Sequence, residues 1–331
     1  MMSPGEVDGS VAAADVAEPA ISTQDLVVRF GRVRALDGLS LVVPSGAKFG
    51  LVGNNGAGKT TAIHALLGLI PATSGRARVL GQDPARAGHA IRKWTGFFPE
   101  RDQPYAWMRL RTLWAMAARA YPTWDATLAT DLADRFDLDP RRRVQQLSKG
   151  MVAKAKLVVA LAHRPELLVL DEPTSGLDPG SRYELLDVIR TLDARRHTAL
   201  VSSHNLDELE TLATHIGLVH HGRCVLSESV AAIHERYGLL RTTGTNISVS
   251  GTDEPAIAQC EQHLRGQALS RLDEEGTTGW LVRDRHADAV AGLAHALGDR
   301  LQLETPTLPQ VFHWMTKGRL AGSGRAKGEQ S

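Results

Sequence analysis

The chain has 331 residues, 43% hydrophobic and 23% charged, an ordinary globular composition whose length sets an expectation of two domains at about 150 residues each. Its 38 Lys and Arg against 37 Asp and Glu leave a net charge of +1, which argues against a bulk electrostatic nucleic-acid binder. Two cysteines, Cys224 and Cys260, exclude a disulfide framework and fit a reducing compartment, and no apolar run nears the ~18 residues of a membrane span.

Residues 1–20 carry acidic groups, no Lys or Arg and no long apolar stretch, which is unlike a secretory signal and reads as a disordered tail. From 21 to 43 short strands alternate with turns: 25–30 is β-prone, Gly31 breaks it, and 39–43 alternates again. A turn at Pro44-Ser45-Gly46 leads to a buried strand over 48–52 that runs into a Gly-rich loop. Ile63, Leu66, Leu67 and Ile70 then fall on one helical face, predicting a helix that ends at 71–75 before a strand over 76–80. Residues 105–165 are mostly helical in pattern, with a polar break near 137–146. Residues 167–170 are apolar throughout, as in a parallel strand covered on both faces. A helix over 182–194, a strand over 198–202, a helix over 206–213 and a strand over 216–219 follow, the last ending at His220-His221-Gly222.

This alternation predicts an α/β core with a parallel sheet, an antiparallel β subdomain before it, and a helical subdomain inserted over about 100–160, all within 21–238. A strand over 246–250, helices near 255–264 and 286–297, and a strand over 278–282 predict a small C-terminal α/β appendage spanning 239–317, with a disordered tail over 318–331.

Three motifs carry chemistry. Gly53-Asn54-Asn55-Gly56-Ala57-Gly58-Lys59-Thr60 matches G-x-x-x-x-G-K-[ST] and sits between a predicted strand and a predicted helix. There the glycines let backbone N–H groups turn toward phosphate oxygens, and the helix N-terminus favours anions. Lys59 then reaches the β- and γ-phosphates and the Thr60 hydroxyl ligates Mg²⁺, with Thr61 following in the first turn. Next, the apolar run 167–170 ends in Asp171-Glu172, 112 residues after Lys59 (171 − 59). Asp171 is placed to hold Mg²⁺ through water, and Glu172 to polarise an attacking water. Leu147-Ser148-Lys149-Gly150-Met151 opens a helix, where Ser148 alone reads as an N-cap.

Taken in order, the phosphate loop, Leu-Ser-x-Gly, the run ending Asp-Glu-Pro-Thr-Ser-Gly-Leu-Asp, and Ser-Ser-His resemble the ATP-binding subunit of ABC transporters over residues 21–235. The resemblance implies a P-loop NTPase fold, ATP and Mg²⁺ as ligands, and ATP hydrolysis that drives transport. It makes Phe30 the aromatic that stacks on adenine, although a lone aromatic at a strand end also suits a core. Ser148 and Gly150 become the signature touching ATP held by a second subunit, Asp178 belongs to the loop coupling two subunits, and His204 becomes the switch histidine. Glu100 stands where the family usually has Gln, toward Mg²⁺ and water, and Lys149 and Met151 depart from the usual signature. Both departures are similar to the branch whose ATPase is a separate polypeptide serving exporters. The resemblance further implies a homodimer or paired ATPase subunit, a separate membrane permease, no nucleic acid, and a place on the inner face of the membrane. Residues 305–312 resemble the closing helix of such subunits, where a Leu and a Phe dock an appended domain. A soluble ATPase acting on nucleic acid or the ribosome would show a long coiled-coil insertion or a second nucleotide domain, and neither is present; a purely regulatory binding module does not need Glu172 and His204.

Overall fold

The computed structural model describes residues 18–101, 104–242, 264, 268–274, 277–285, 290, 301–317 and 319–320. Strands β1 (Ile21–Phe30) and β2 (Val33–Val43) form a hairpin, and β4 (Ser74–Val79) pairs with the far edge of β1, giving an antiparallel sheet in the order β2-β1-β4. Ile21, Thr23, Leu26 and Val28 of β1 are buried; a register shift after Thr23 keeps Leu26 and Val28 on the inner face and leaves Gln24 and Asp25 outside. The ordered fold begins before residue 21, since Ala20 is buried and its carbonyl accepts from the Leu80 N–H at 2.8 Å. Residues 1–17 of the expected N-terminal tail lie outside the described residues.

The central sheet takes β3 (Lys48–Val52), β5 (Thr95–Phe98), β6 (Leu167–Asp171), β7 (Thr198–Ser203), β8 (His215–His220) and β9 (Arg223–Ser229) in the order β5-β6-β7-β3-β8-β9. All pairs are parallel except β8 with β9, which the His-His-Gly turn joins as a hairpin. Strands β6 and β7 are buried at every residue, because helices cover both faces.

Helix α1 (Lys59–Leu66) follows β3 and is shorter than its apolar spacing predicts. Gly68 adopts φ +63°, the N–H groups of Leu69 and Ile70 turn back to the His64 carbonyl, and Ile70 is therefore off the helix. Helix α2 (Pro84–Lys93) leads into β5. The inserted block holds α3 (Leu110–Ala120), α4 (Ala126–Arg135) and α5 (Lys149–Leu161), joined by the polar break, which forms a short 3-10 turn at Val144–Gln146. Helix α5 is buried on nearly all sides, between this block and the sheet. Helices α6 (Pro179–Arg190), α7 (Leu206–Leu212) and α8 (Val230–Arg236) complete the ATPase unit.

Beyond it, β10 (Gly238–Thr242), β11 (Ala268–Glu274), β12 (Thr277–Val282), β13 (Leu301–Glu304) and β14 (Arg319–Leu320) form an antiparallel sheet in the order β13-β10-β12-β11-β14. Its own core gathers Leu240, Leu264, Trp280, Val282 and Val290. Pairing of β14 with β11 carries ordered structure past residue 318, where a tail was expected. The strand expected over 246–250 lies outside the described residues, as do the helices near 255–264 and 286–297 apart from Leu264 and Val290. Helix α9 (Leu308–Lys317) turns back from the appended sheet. Its Leu308, Val311 and Trp314 sink into the same core cluster as Leu209 and Leu212 of α7. No helix among the described residues is long and apolar enough to cross a membrane.

Candidate functional site

The loop between β3 and α1 is shaped by glycine. Gly56 and Gly58 adopt φ +80° and +109°, a region that penalises any Cβ. Gly58 is fixed doubly, because a Cβ there would lie 2.6 Å from the Ala35 carbonyl oxygen. As N-cap of α1 it offers no side-chain acceptor, so the first-turn N–H groups and the positive end of the helix are left for an anion.

Lys59 Nζ folds over this loop. It donates to the Gly53 carbonyl at 2.6 Å and reaches the Asn54 carbonyl at 3.4 Å. It also lies 3.0 Å from Glu172 Oε1, and the two side chains are only 6% and 8% exposed. Glu172 Oε1 accepts no well-aligned hydrogen bond, so this attraction is Coulombic rather than directional. The other oxygen, Oε2, lies 2.8 Å from His204 Nδ1. A carboxylate only accepts, which puts the shared proton on Nδ1.

Two strands deliver this arrangement. Asp171 ends β6, buried, and its Oδ1 accepts from Ser202 Oγ at 2.6 Å. The same Ser202 Oγ accepts from the Glu172 N–H at 2.9 Å, tying the ends of β6 and β7 together. Glu172 has φ +47°, a left-handed conformation that costs a non-glycine residue on the order of 1–3 kcal/mol. The kink lets successive residues serve different roles, Asp171 within the sheet and Glu172 against Lys59.

A cleft of about 400 Å³ brings Asn54, Asn55, Gly56, Ala57, Gly58, Lys59, Thr60 and Thr61 together with Glu100, Glu172 and His204. Its wall also includes Val33, Arg34 and Ala35 of β2 and Arg101, none of which the sequence singles out. Phe30 is exposed at the end of β1 and pairs in register with Val33; it is Val33 that lines the cleft. Glu100 stands between this cleft and an adjoining cavity of about 420 Å³ walled by Lys149, Lys156 and Leu177.

Ser148, Gly150 and Asp178 do not line the cleft. Ser148 Oγ caps α5 by accepting from the Met151 N–H at 3.2 Å. A Cβ on Gly150 would lie 2.2 Å from Ser181 Oγ, so glycine there lets α5 approach the start of α6. Asp178 caps α6, and hydrogen bonds led by the Ser181 backbone N–H hold its carboxyl below the usual range. These residues form a corner outside this chain's own cleft.

Of the oxygens expected to meet a metal, the Thr60 hydroxyl and the Glu100 carboxylate line the cleft, whereas the Asp171 carboxylate is buried at the end of β6 and is not part of its lining. Among the described residues no group of three or more His, Cys, Asp or Glu is gathered to hold an ion by itself. That donor set fits Mg²⁺, which prefers oxygen, keeps waters and takes its remaining ligands from substrate phosphates.

Residues 36–175 match the family model for ABC transporter. The daunorubicin resistance ATP-binding protein DrrA3 of Streptomyces coeruleorubidus is 32% identical over 327 residues, covering 91% of this chain and 97% of that protein. The bacitracin transport ATP-binding protein BcrA of Bacillus licheniformis is 35% identical over 206 residues, 61% of this chain and 67% of that protein. A solved structure of an ATP binding subunit of an ABC transporter superposes with a TM-score of 0.60 at 27% identity, over 65% of this chain and 92% of that one.

Proposed function

This chain belongs to the ABC transporter family as an ATP-binding ATPase subunit, and we propose that two copies, or one copy and a paired subunit, work beneath a separate permease on the cytoplasmic side to export a small molecule. The observation that carries the reading is Glu172 held between Lys59 and His204 at the mouth of the phosphate loop. The names of the relatives, daunorubicin resistance and bacitracin transport, support a drug-like cargo.

Chemically, the triphosphate lies on the loop N–H groups, and Lys59 exchanges part of its contact with Glu172 for phosphate oxygens. Glu172 holds the attacking water and accepts its proton as oxygen bonds to the γ-phosphorus. The bond to the β-phosphate oxygen breaks, and ADP leaves with its electron pair. His204 steadies the carboxylate through Nδ1, and with its ring protonated on both nitrogens it donates from Nε2 to the γ-phosphate. Bound Mg²⁺, held by Thr60 and through water by Asp171 and Glu100, would neutralise charge on the phosphates. We assign adenine to the side of Phe30, and assign Ser148, Gly150 and Asp178 of Leu-Ser-Lys-Gly-Met and the following loop to the nucleotide held by the facing subunit. Their position outside this chain's own cleft supports that assignment. The stacked, exposed Tyr105 and Trp107, with ring centroids 5.8 Å apart, support permease docking near Glu100.

Lys59→Ala is the test. The expected result is loss of ATP binding and hydrolysis with an unchanged circular dichroism spectrum; wild-type ATP affinity in the folded variant overturns the site.

A further inference from the structure

One carboxylate near the cleft is absent from the chemistry above. Glu208, on α7, is 10% exposed and saturated with donors. Its Oε2 accepts from Thr174 Oγ1 at 2.6 Å. Its Oε1 accepts from Asn205 Nδ2 at 3.0 Å and lies 3.1 Å from Arg182 Nη1. Thr174 follows Glu172 by two residues in a tight turn, where the Ser175 N–H donates to the Glu172 carbonyl at 3.1 Å. Asn205 directly follows His204, and Arg182 lies in the first turn of α6, just after the Asp178 loop. One side chain therefore joins the start of its own helix, capped by Asn205, to two other segments beside the hydrolytic pair, the Thr174 turn and α6.

We propose that Glu208 is a positioning residue for ATP hydrolysis, fixing the loop of Glu172 against the loop of His204 through Thr174 and Asn205. The proposal rests on the ATPase reading. Ser202 ties the ends of the two strands, and Glu208 ties the turn after Glu172 to the start of α7 after His204. The segments that carry the 2.8 Å contact between Glu172 and His204 are thereby tied together twice. Among the described residues no hydrogen bond or ion pair joins Glu208, Thr174 or Asn205 to the phosphate loop, so the clamp acts on turnover rather than on nucleotide capture. Removing the carboxylate strands the Thr174 hydroxyl and the Arg182 guanidinium, whose Nε already lacks a partner.

The experiment is steady-state MgATP hydrolysis by the full chain and the variants Glu208→Ala, Glu208→Gln and Thr174→Val, each checked for folding by thermal melt. Glutamine keeps an acceptor for Asn205 and donates to the Thr174 hydroxyl, which can accept. Expected is a kcat loss of about 10- to 10²-fold for Glu208→Ala, the scale of a misplaced catalytic group. KM for ATP should stay within about twofold, with most of the rate kept by Glu208→Gln and an intermediate loss for Thr174→Val. An unchanged kcat in folded Glu208→Ala overturns the proposal, and so does a KM rise matching the kcat fall. If Glu208→Ala does not fold, Thr174→Val decides: a rate equal to that of the unmutated chain overturns the proposal. Absence of hydrolysis by the unmutated chain is a different failure, that of the ATPase reading.

Discussion

Replacing Glu172 by Gln tests the site's energetics as well as its chemistry. Lys59 Nζ and Glu172 Oε1 are 3.0 Å apart and nearly buried, a separation at which Coulomb attraction is about 5.5 kcal/mol with an effective dielectric near 20. The contact lacks a well-aligned hydrogen bond, so the low end of the cost for breaking a buried pair, about 3 kcal/mol, is the better figure. The variant leaves Lys59 with carbonyl partners only, and its nucleotide-free form should melt several degrees lower. Phosphate oxygens restore an anion to Lys59, so binding returns what the substitution removed. By linkage, ATP affinity should rise by up to about 10²-fold, at 1.4 kcal/mol per decade. Hydrolysis should fall by about 10²- to 10⁴-fold as the base is lost. Thermal melts with and without nucleotide, calorimetric ATP titration and a phosphate-release assay read the three quantities. A Glu172→Gln protein that binds ATP more weakly than the unmutated chain, or hydrolyses it as fast, refutes the reasoning. ATP-locked pairing of this variant on size exclusion is the expected sign of the proposed two-subunit arrangement.

Glu100 brings negative charge to the cleft, but it is a third exposed with Arg101 Nε at 3.9 Å, so repulsion of the triphosphate is screened to about 1 kcal/mol. Glu100→Gln should therefore bind ATP fewfold more tightly without Mg²⁺, and the gap should close as Mg²⁺ saturates; titration at several metal concentrations checks this. Burial holds the His163 imidazole below its ordinary value, where it stacks on Tyr121 at 3.9 Å with Nε2 unpartnered. A depressed histidine binds protons preferentially when unfolded, so its contribution is full above about pH 6.5 and is lost as pH falls toward the folded value. Since burial also depresses His215 and His220, His163→Leu should flatten the loss of melting temperature between pH 7 and 5 by one histidine's share, not abolish it.

The parts of the fold legible in the sequence were those whose pattern is local. The run 167–170 reads as a strand covered on both faces, and the phosphate loop announces its own strand and helix. Helix α1 misled because its apolar spacing continues to Ile70 while Gly68 ends it; a backbone property outweighed periodicity. The contributions of Val33 to Ala35 and of Glu208 were not legible, since both depend on distant segments meeting. Glu208 reads locally as an acidic residue in the first turn of a helix, and only the fold puts it beside Thr174. The appended sheet was read as an α/β unit, but β10 and β13 went unseen because their partners are far away in the chain.

The return of α9 onto α7 has a consequence for synthesis. Leu209 and Leu212 share their core with Leu308, Val311 and Trp314, and 96 residues separate Leu212 from Leu308 (308 − 212). At roughly 5–20 residues per second, a ribosome needs about 5 to 20 s to make that interval. From Arg236, the end of α8 and 72 residues before Leu308 (308 − 236), every element of the ATPase unit is translated while the flank of α7 that α9 covers still lacks that partner. The nascent chain thus passes through a stage in which its catalytic half is formed but uncovered, and stalling or truncation there would yield a species suited to chaperone capture rather than to ATP turnover.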